Sequence, residues 1–187
     1  MKKKLAKMDL LLLFFIILYS VLGCIMIFSA SSVLTVLKQG VASNYYFIRQ
    51  CAILGISVLA AIIVTRFPLK YYKLLSYLLM VLIGASLVGL LLAGKITNGT
   101  KGWYDLGFFN FQPEEFAKSI IIIYLACSYE EIVKRKETRA FIYFIPLFFA
   151  EVIALLVLKQ PDLGSAIIIG IIALLIFLAV PMPQKTR

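Results

Sequence analysis

The run LLLLFFIILYSVLGCIMIFSA, residues 10–30, decides the fold class. It carries no charged residue, and a helix needs roughly 20 apolar residues to cross a hydrocarbon core of about 30 Å. The preceding MKKKLAK resembles the start of a secretory leader. The apolar run is too long for a leader's core and no A-x-A site closes it, so it reads as a first membrane helix. Working outward, five further runs qualify, at 47–64, 74–93, 116–132, 140–158 and 163–180. All are continuously apolar, whereas a membrane β-barrel would alternate. The expected fold is an all-α integral membrane protein with six transmembrane helices in a single membrane domain over residues 1–187.

Composition agrees. Hydrophobic residues make up 63% of the chain and charged ones 15%, against about 45–50% and 25% in soluble domains. Histidine is absent, which removes the commonest metal ligand and the usual neutral-pH base. Cys24, Cys51 and Cys127 lie in apolar runs at wide spacing and suggest small buried hydrophobes rather than disulfides or a zinc site. The net charge of +10 fits loops that touch anionic lipid better than it fits nucleic acid.

Lysine and arginine placement orients the chain. With the N-terminus in the cytoplasm, thirteen of the nineteen basic residues fall on the inner side, as the positive-inside rule requires. The polar stretch NGTKGWYDLGFFNFQPEEFAK, residues 98–118, is then extracytoplasmic. It holds the sole tryptophan, three carboxylates and a helix start at Gln112-Pro113-Glu114-Glu115. Lys118 shares a helix face with Glu114 and Glu115. Lys101, Lys118 and Trp103 suit a ligand with phosphate and sugar parts, although the same residues also suit a loop that dips into the headgroups.

Two acids stand apart. Glu151 sits near the middle of the fifth segment, where a carboxylate costs on the order of 2.5–3.5 kcal/mol unless it meets a partner or a polar cleft. It is either a structural acid or part of such a cleft. Asp162, in KQPDLGSA, either caps the sixth helix or contributes to a site. In the third segment, Ala85 and Gly89 are four apart, a spacing that permits close helix contact.

N-G-x-x-x-W, L-G and Q-P-x-E-x-x-K, followed some forty residues later by Q-P-D-L-G, resemble the SEDS family, the FtsW/RodA/SpoVE proteins of bacterial elongation, division and sporulation. The likeness covers essentially the whole chain. It implies a ten-helix bundle in the bacterial cytoplasmic membrane that polymerises lipid II, an undecaprenyl-pyrophosphate-linked substrate, with a class B penicillin-binding transpeptidase as partner. Such a glycosyl transfer needs a base and cations for the leaving pyrophosphate, a charge that a divalent cation could share. Lys101, Trp103, Glu115, Lys118, Glu151 and Asp162 are the candidate substrate-binding residues. Gly102 and Glu114 depart from the family pattern, which has arginine in many relatives at the first position and a small residue at the second. The aspartate regarded as catalytic would lie beyond Arg187, and neither Asp105 nor Asp162 matches it. The resemblance therefore implies the N-terminal part of a longer enzyme, inactive alone. A lipid-linked precursor transporter and a membrane scaffold for a transpeptidase are the alternatives.

Overall fold

The computed structural model describes residues 9–34, 42–93, 95–97, 100–105, 107 and 110–182, without the side chains of 32–34, 93, 95–97 and 100–101. These residues form six α-helices, one 3-10 turn and three short strands. They fall into two compact units, residues 1–67 and 68–187.

The first unit is two helices, α1 (Leu10–Leu34) and α2 (Tyr45–Arg66), packed on one another. Phe28 of α1 meets Phe47 of α2 edge-on, with ring centres 5.7 Å apart. Cys24 is its one buried side chain among the described residues. Leu12 is 59% exposed and Ile63 67%, so water cannot be the solvent of this pair. Hydroxyls that would be orphaned in lipid turn back onto their own helix. Ser20 donates to the Ile16 carbonyl at 2.7 Å and Ser57 to that of Ile53 at 2.9 Å. Hydrocarbon offers no other acceptor.

The second unit holds α3 (Tyr72–Ala93), preceded by the 3-10 turn Leu69–Tyr71, then β1 (Lys95–Thr97), β2 (Thr100–Asp105), β3 (Asn110–Phe111), α4 (Pro113–Lys134), α5 (Ala140–Leu158) and α6 (Leu163–Ala179). Helix α4 is central and packs against α3, α5 and α6. Its buried residues, among them Ala117, Ile120, Ile121, Tyr124, Leu125 and Ser128, recur at three- and four-residue steps, the stripe a helix needs to fill a core. Leu87, Ile121, Leu125, Val157 and Ile169, one to two from each helix, are wholly buried together. At one end, Tyr77 shares a hydrogen bond with Ser128 at 3.3 Å, and the Tyr129 hydroxyl donates to the Tyr143 carbonyl at 3.2 Å.

All six expected segments are helices, with ends shifted by a few residues. Four of them, Leu10–Ser31, Tyr45–Arg66, Leu69–Leu92 and Ala140–Leu158, are long and apolar enough to cross a membrane. Helix α6 is apolar but shorter, at 17 residues. Helix α4 carries Glu114, Glu115 and Lys118 near one end and Glu130, Glu131 and Lys134 near the other, and its burial among three neighbours relieves it of a continuous lipid-facing surface.

The sequence reading contained no strands. The structure pairs Lys95–Thr97, Thr100–Asp105 and Asn110–Phe111 in a three-stranded antiparallel sheet in the order β1-β2-β3, with Thr97 opposite Thr100 and Tyr104 opposite Phe111. Threonine and aromatic residues favour such a surface, a signal masked here by the intervening glycines. Asn98 and Gly99, between β1 and β2 in sequence, lie outside the described residues. The Ala85/Gly89 pair does not pack a helix. Ala85 is exposed, and a Cβ on Gly89 would lie 2.6 Å from the Tyr104 hydroxyl.

Candidate functional site

The two motifs meet at one end of the second unit. Helix α4 begins at Pro113 and α6 at Leu163, and the two helices pack together. Proline at the start of α4 needs no N–H partner, and two acids follow near the positive end of its dipole. The Asp162 carboxylate caps α6, accepting from the Ser165 backbone N–H at 2.8 Å and from its hydroxyl at 3.2 Å. Gln160, wholly buried, donates its amide to the Leu87 carbonyl at 3.0 Å and ties the α5–α6 connection to α3.

Of the two acids at the head of α4, Glu115 is exposed and holds Lys118 in an ion pair at 2.8 Å. Glu114 turns the other way and is 1% exposed. Gln112 donates to its Oε1, while its Oε2 has no hydrogen-bond partner among the described residues. Asp162 is near enough to perturb the Glu114 carboxyl. Burial first, and the neighbouring Asp162 in smaller part, push Glu114 up to about 7. Asp162 itself is held below the usual range, first by the Ser165 N–H and in smaller part by the Lys118 ammonium. The whole group is roofed by β2. Gly102 stands where a Cβ would lie 3.6 Å from Glu114 Oε1, and the Tyr104 hydroxyl donates to the Ser86 carbonyl of α3 at 2.8 Å.

The candidate residues divide accordingly. Glu115, Lys118 and Asp162 gather at this end, and Trp103 is half-buried on β2 opposite Lys95. Lys101 is on β2, but its side chain lies outside the described residues. Glu151 is elsewhere, in a groove of about 430 Å³ between α5 and α6, walled by Ala154, Leu158, Ile167 and Ile171. A Cβ on Gly170 would lie 3.4 Å from Glu151 Oε2. Glu114 and Gln160, the most buried polar residues at the motif end, were not among the sequence candidates. In the sequence Glu114 is a departure from the pattern, and its spacing to Lys118 suggests a local ion pair.

The family model described as cell cycle protein, FtsW/RodA/SpoVE, matches residues 9–186. The chain belongs to this family. The probable peptidoglycan glycosyltransferase FtsW of Bacillus subtilis is 32% identical over all of this chain and 47% of its own length. Stage V sporulation protein E of the same organism is 32% identical over 91% of this chain and 47% of its own. The crystal structure of the rod shape determining protein RodA of Thermus thermophilus superposes with a TM-score of 0.67 at 26% identity, covering 87% of this chain and 54% of that one. A chain in a peptidoglycan synthase complex that coordinates polymerization and crosslinking gives a TM-score of 0.59 at 29% identity, covering 79% and 44%. This FtsW/RodA/SpoVE chain therefore spans about half the length of the curated relatives it matches, and it is a multi-pass bacterial membrane protein.

Among the described residues, no three His, Cys, Asp or Glu side chains group closely enough to hold a metal ion. These residues do not by themselves build a divalent-cation site.

Proposed function

We propose that this chain is the N-terminal portion of a peptidoglycan glycosyltransferase and that the joined ends of α4 and α6 form part of its lipid II site. The single observation that carries the reading is the convergence of 112–118 and 160–164, forty residues apart in sequence, on one end of the unit. Lys118 supplies a cation on an accessible face beside two helix N-termini, a combination that favours pyrophosphate. Trp103 on β2 offers an aromatic face suited to a sugar. Glu115 holds the Lys118 ammonium in an ion pair at 2.8 Å.

In this reading the site lies on the outer side of the cytoplasmic membrane, with the N-terminus inside. The base for the acceptor hydroxyl comes from outside residues 1–187, and a class B penicillin-binding transpeptidase is the partner. Replacing Lys118 with Ala in the complete protein is expected to abolish glycan polymerisation from lipid II while membrane insertion is retained. Wild-type polymerisation by that variant would overturn the substrate-site assignment.

A further inference from the structure

We propose that the cavity at the Lys134 end of α4 binds an anionic phospholipid, with the headgroup phosphate on Arg135 and Arg139 and an acyl chain along the apolar wall between α3 and α5. The cavity measures about 610 Å³ and is lined by residues of the second unit alone. That volume falls within the range of small-ligand sites, about 300–1,000 Å³, and gives room for a phosphate and part of one chain. The cavity lies at the end of α4 opposite the two motifs, so it is separate from the proposed lipid II face.

Its lining changes from charged to apolar with depth. Arg135 follows the last residue of α4, and Glu137 and Arg139 precede α5. Val81 and Phe149 each lie nine residues beyond the first residue of their helices, Tyr72 and Ala140. At 1.5 Å per residue this is roughly 14 Å along the helix axis. Tyr77 and Ser128, bonded to each other at 3.3 Å, mark the change between the two zones. Val81 is 70% exposed and Phe149 50%, so the apolar wall is open to the hydrocarbon around the helices. A lipid chain enters from that side without leaving the bilayer.

The charged mouth favours a negative headgroup. Lys73, Lys134, Arg135, Lys136 and Arg139 face only three carboxylates, Glu130, Glu131 and Glu137, in this group. Glu131 already holds both Lys73 and Arg135, and Glu137 takes the Arg139 backbone N–H and guanidinium at 3.1 and 3.0 Å. The carboxylates are occupied and positive charge is left over, the condition under which a basic pocket between membrane helices recruits an anionic lipid. Each guanidinium has five N–H donors. The described bonds use one on Arg135 and two on Arg139, and the remaining donors form the planar fork that suits phosphate oxygens. A free phosphate would satisfy the mouth but leave the wall uncovered. The proposed topology puts this end in the cytoplasmic leaflet, although the site itself does not rest on that topology.

The test is native mass spectrometry of the complete protein in detergent with graded dioleoyl phosphatidylglycerol. Parallel arms carry dioleoyl phosphatidylethanolamine, dioleoylglycerol and inorganic phosphate. The wild type is expected to retain phosphatidylglycerol at concentrations where the other three are lost. The double variant Arg135→Gln, Arg139→Gln should weaken that retention about tenfold or more, the scale of one lost charge-assisted contact. Both arginine side chains are exposed, at 74% and 76%, and glutamine still donates to the same glutamates. The unfolding midpoint without added lipid should therefore stay unchanged. Undiminished phosphatidylglycerol binding by the double variant would overturn the proposal. Equal retention of dioleoylglycerol would reduce the cavity to an apolar groove, equal retention of phosphatidylethanolamine would remove the charge argument, and equal retention of phosphate would make it a soluble-anion site. Absence of bound phosphatidylglycerol on the wild type would mean that other parts of the protein fill the cavity. None of these readouts involves glycan polymerisation, so the outcome is independent of the Lys118 assignment.

Discussion

At residue scale, one turn of helix holds both a buried and an exposed acid. Two adjacent glutamates at the head of α4 read alike in a helical pattern, both within reach of Lys118. Packing separates them. Glu115 faces outward and pairs, whereas Glu114 rotates into the seam with α6. Glu151 was legible as an anomaly because a lone carboxylate amid nineteen residues of apolar helix has no local explanation. Its environment was not legible, since the groove that contains it is built from two helices. A Gln at position 151 keeps the shape and removes the ionisable group. In the complete protein, Glu151→Gln is expected to lower polymerisation while leaving the unfolding midpoint unchanged. Full activity at unchanged stability would reduce Glu151 to a packing acid.

Among elements, the sheet and its seat on α3 were the least foreseeable parts. The strands are three, six and two residues long, and glycines at 102 and 107 break any alternating pattern. Gly107 itself has φ 84°, and its N–H bonds the Asp105 carboxylate at 3.0 Å, so that acid closes a turn. The contact that seats the sheet is Tyr104 on the Ser86 carbonyl beside Gly89. Gly89→Ala would drive a methyl into the Tyr104 hydroxyl. The expected cost is about 1–3 kcal/mol, the range for overpacking or a lost buried hydrogen bond. Thermal unfolding in detergent should fall for Gly89→Ala and much less for Ala85→Gly at the exposed neighbour. Equal losses would mean that the sheet is not seated through Tyr104.

For the whole molecule, the exposed surface is the decisive feature. Leu92 is 84% exposed and Phe141 76%, and such side chains ring the helices of both units. Burial in lipid is worth about 25 cal/mol per Å², so bilayer and core share the task of stabilisation. Ion pairs at the loops add little. Lys134–Glu130, at 2.5 Å, is exposed on both sides, and pairs of that kind contribute about 0–1 kcal/mol; in Lys73–Glu131, also at 2.5 Å, the lysine is exposed and the glutamate half-buried. Orientation is testable directly. In a variant lacking its own cysteines, a cysteine at position 107 should be labelled by a membrane-impermeant thiol reagent in intact cells, and one at 136 only after permeabilisation. The reverse pattern would invert the proposed topology and place the α4–α6 end in the cytoplasm.

By itself the sequence determined the membrane class, the six helices and the family. Each of these rests on local or short-period properties: apolar run length, the charge of flanking loops, and two short motifs. What only the tertiary structure decided is the meeting of those motifs at the ends of α4 and α6, the roof of strands above them, and the inward turn of Glu114. These depend on which helix lies beside which, and a pattern along one chain does not encode its neighbours. The buried Glu114 carboxyl is where that difference is greatest: in sequence it is one more charge on a helix start, and in the fold it is an acid turned away from solvent.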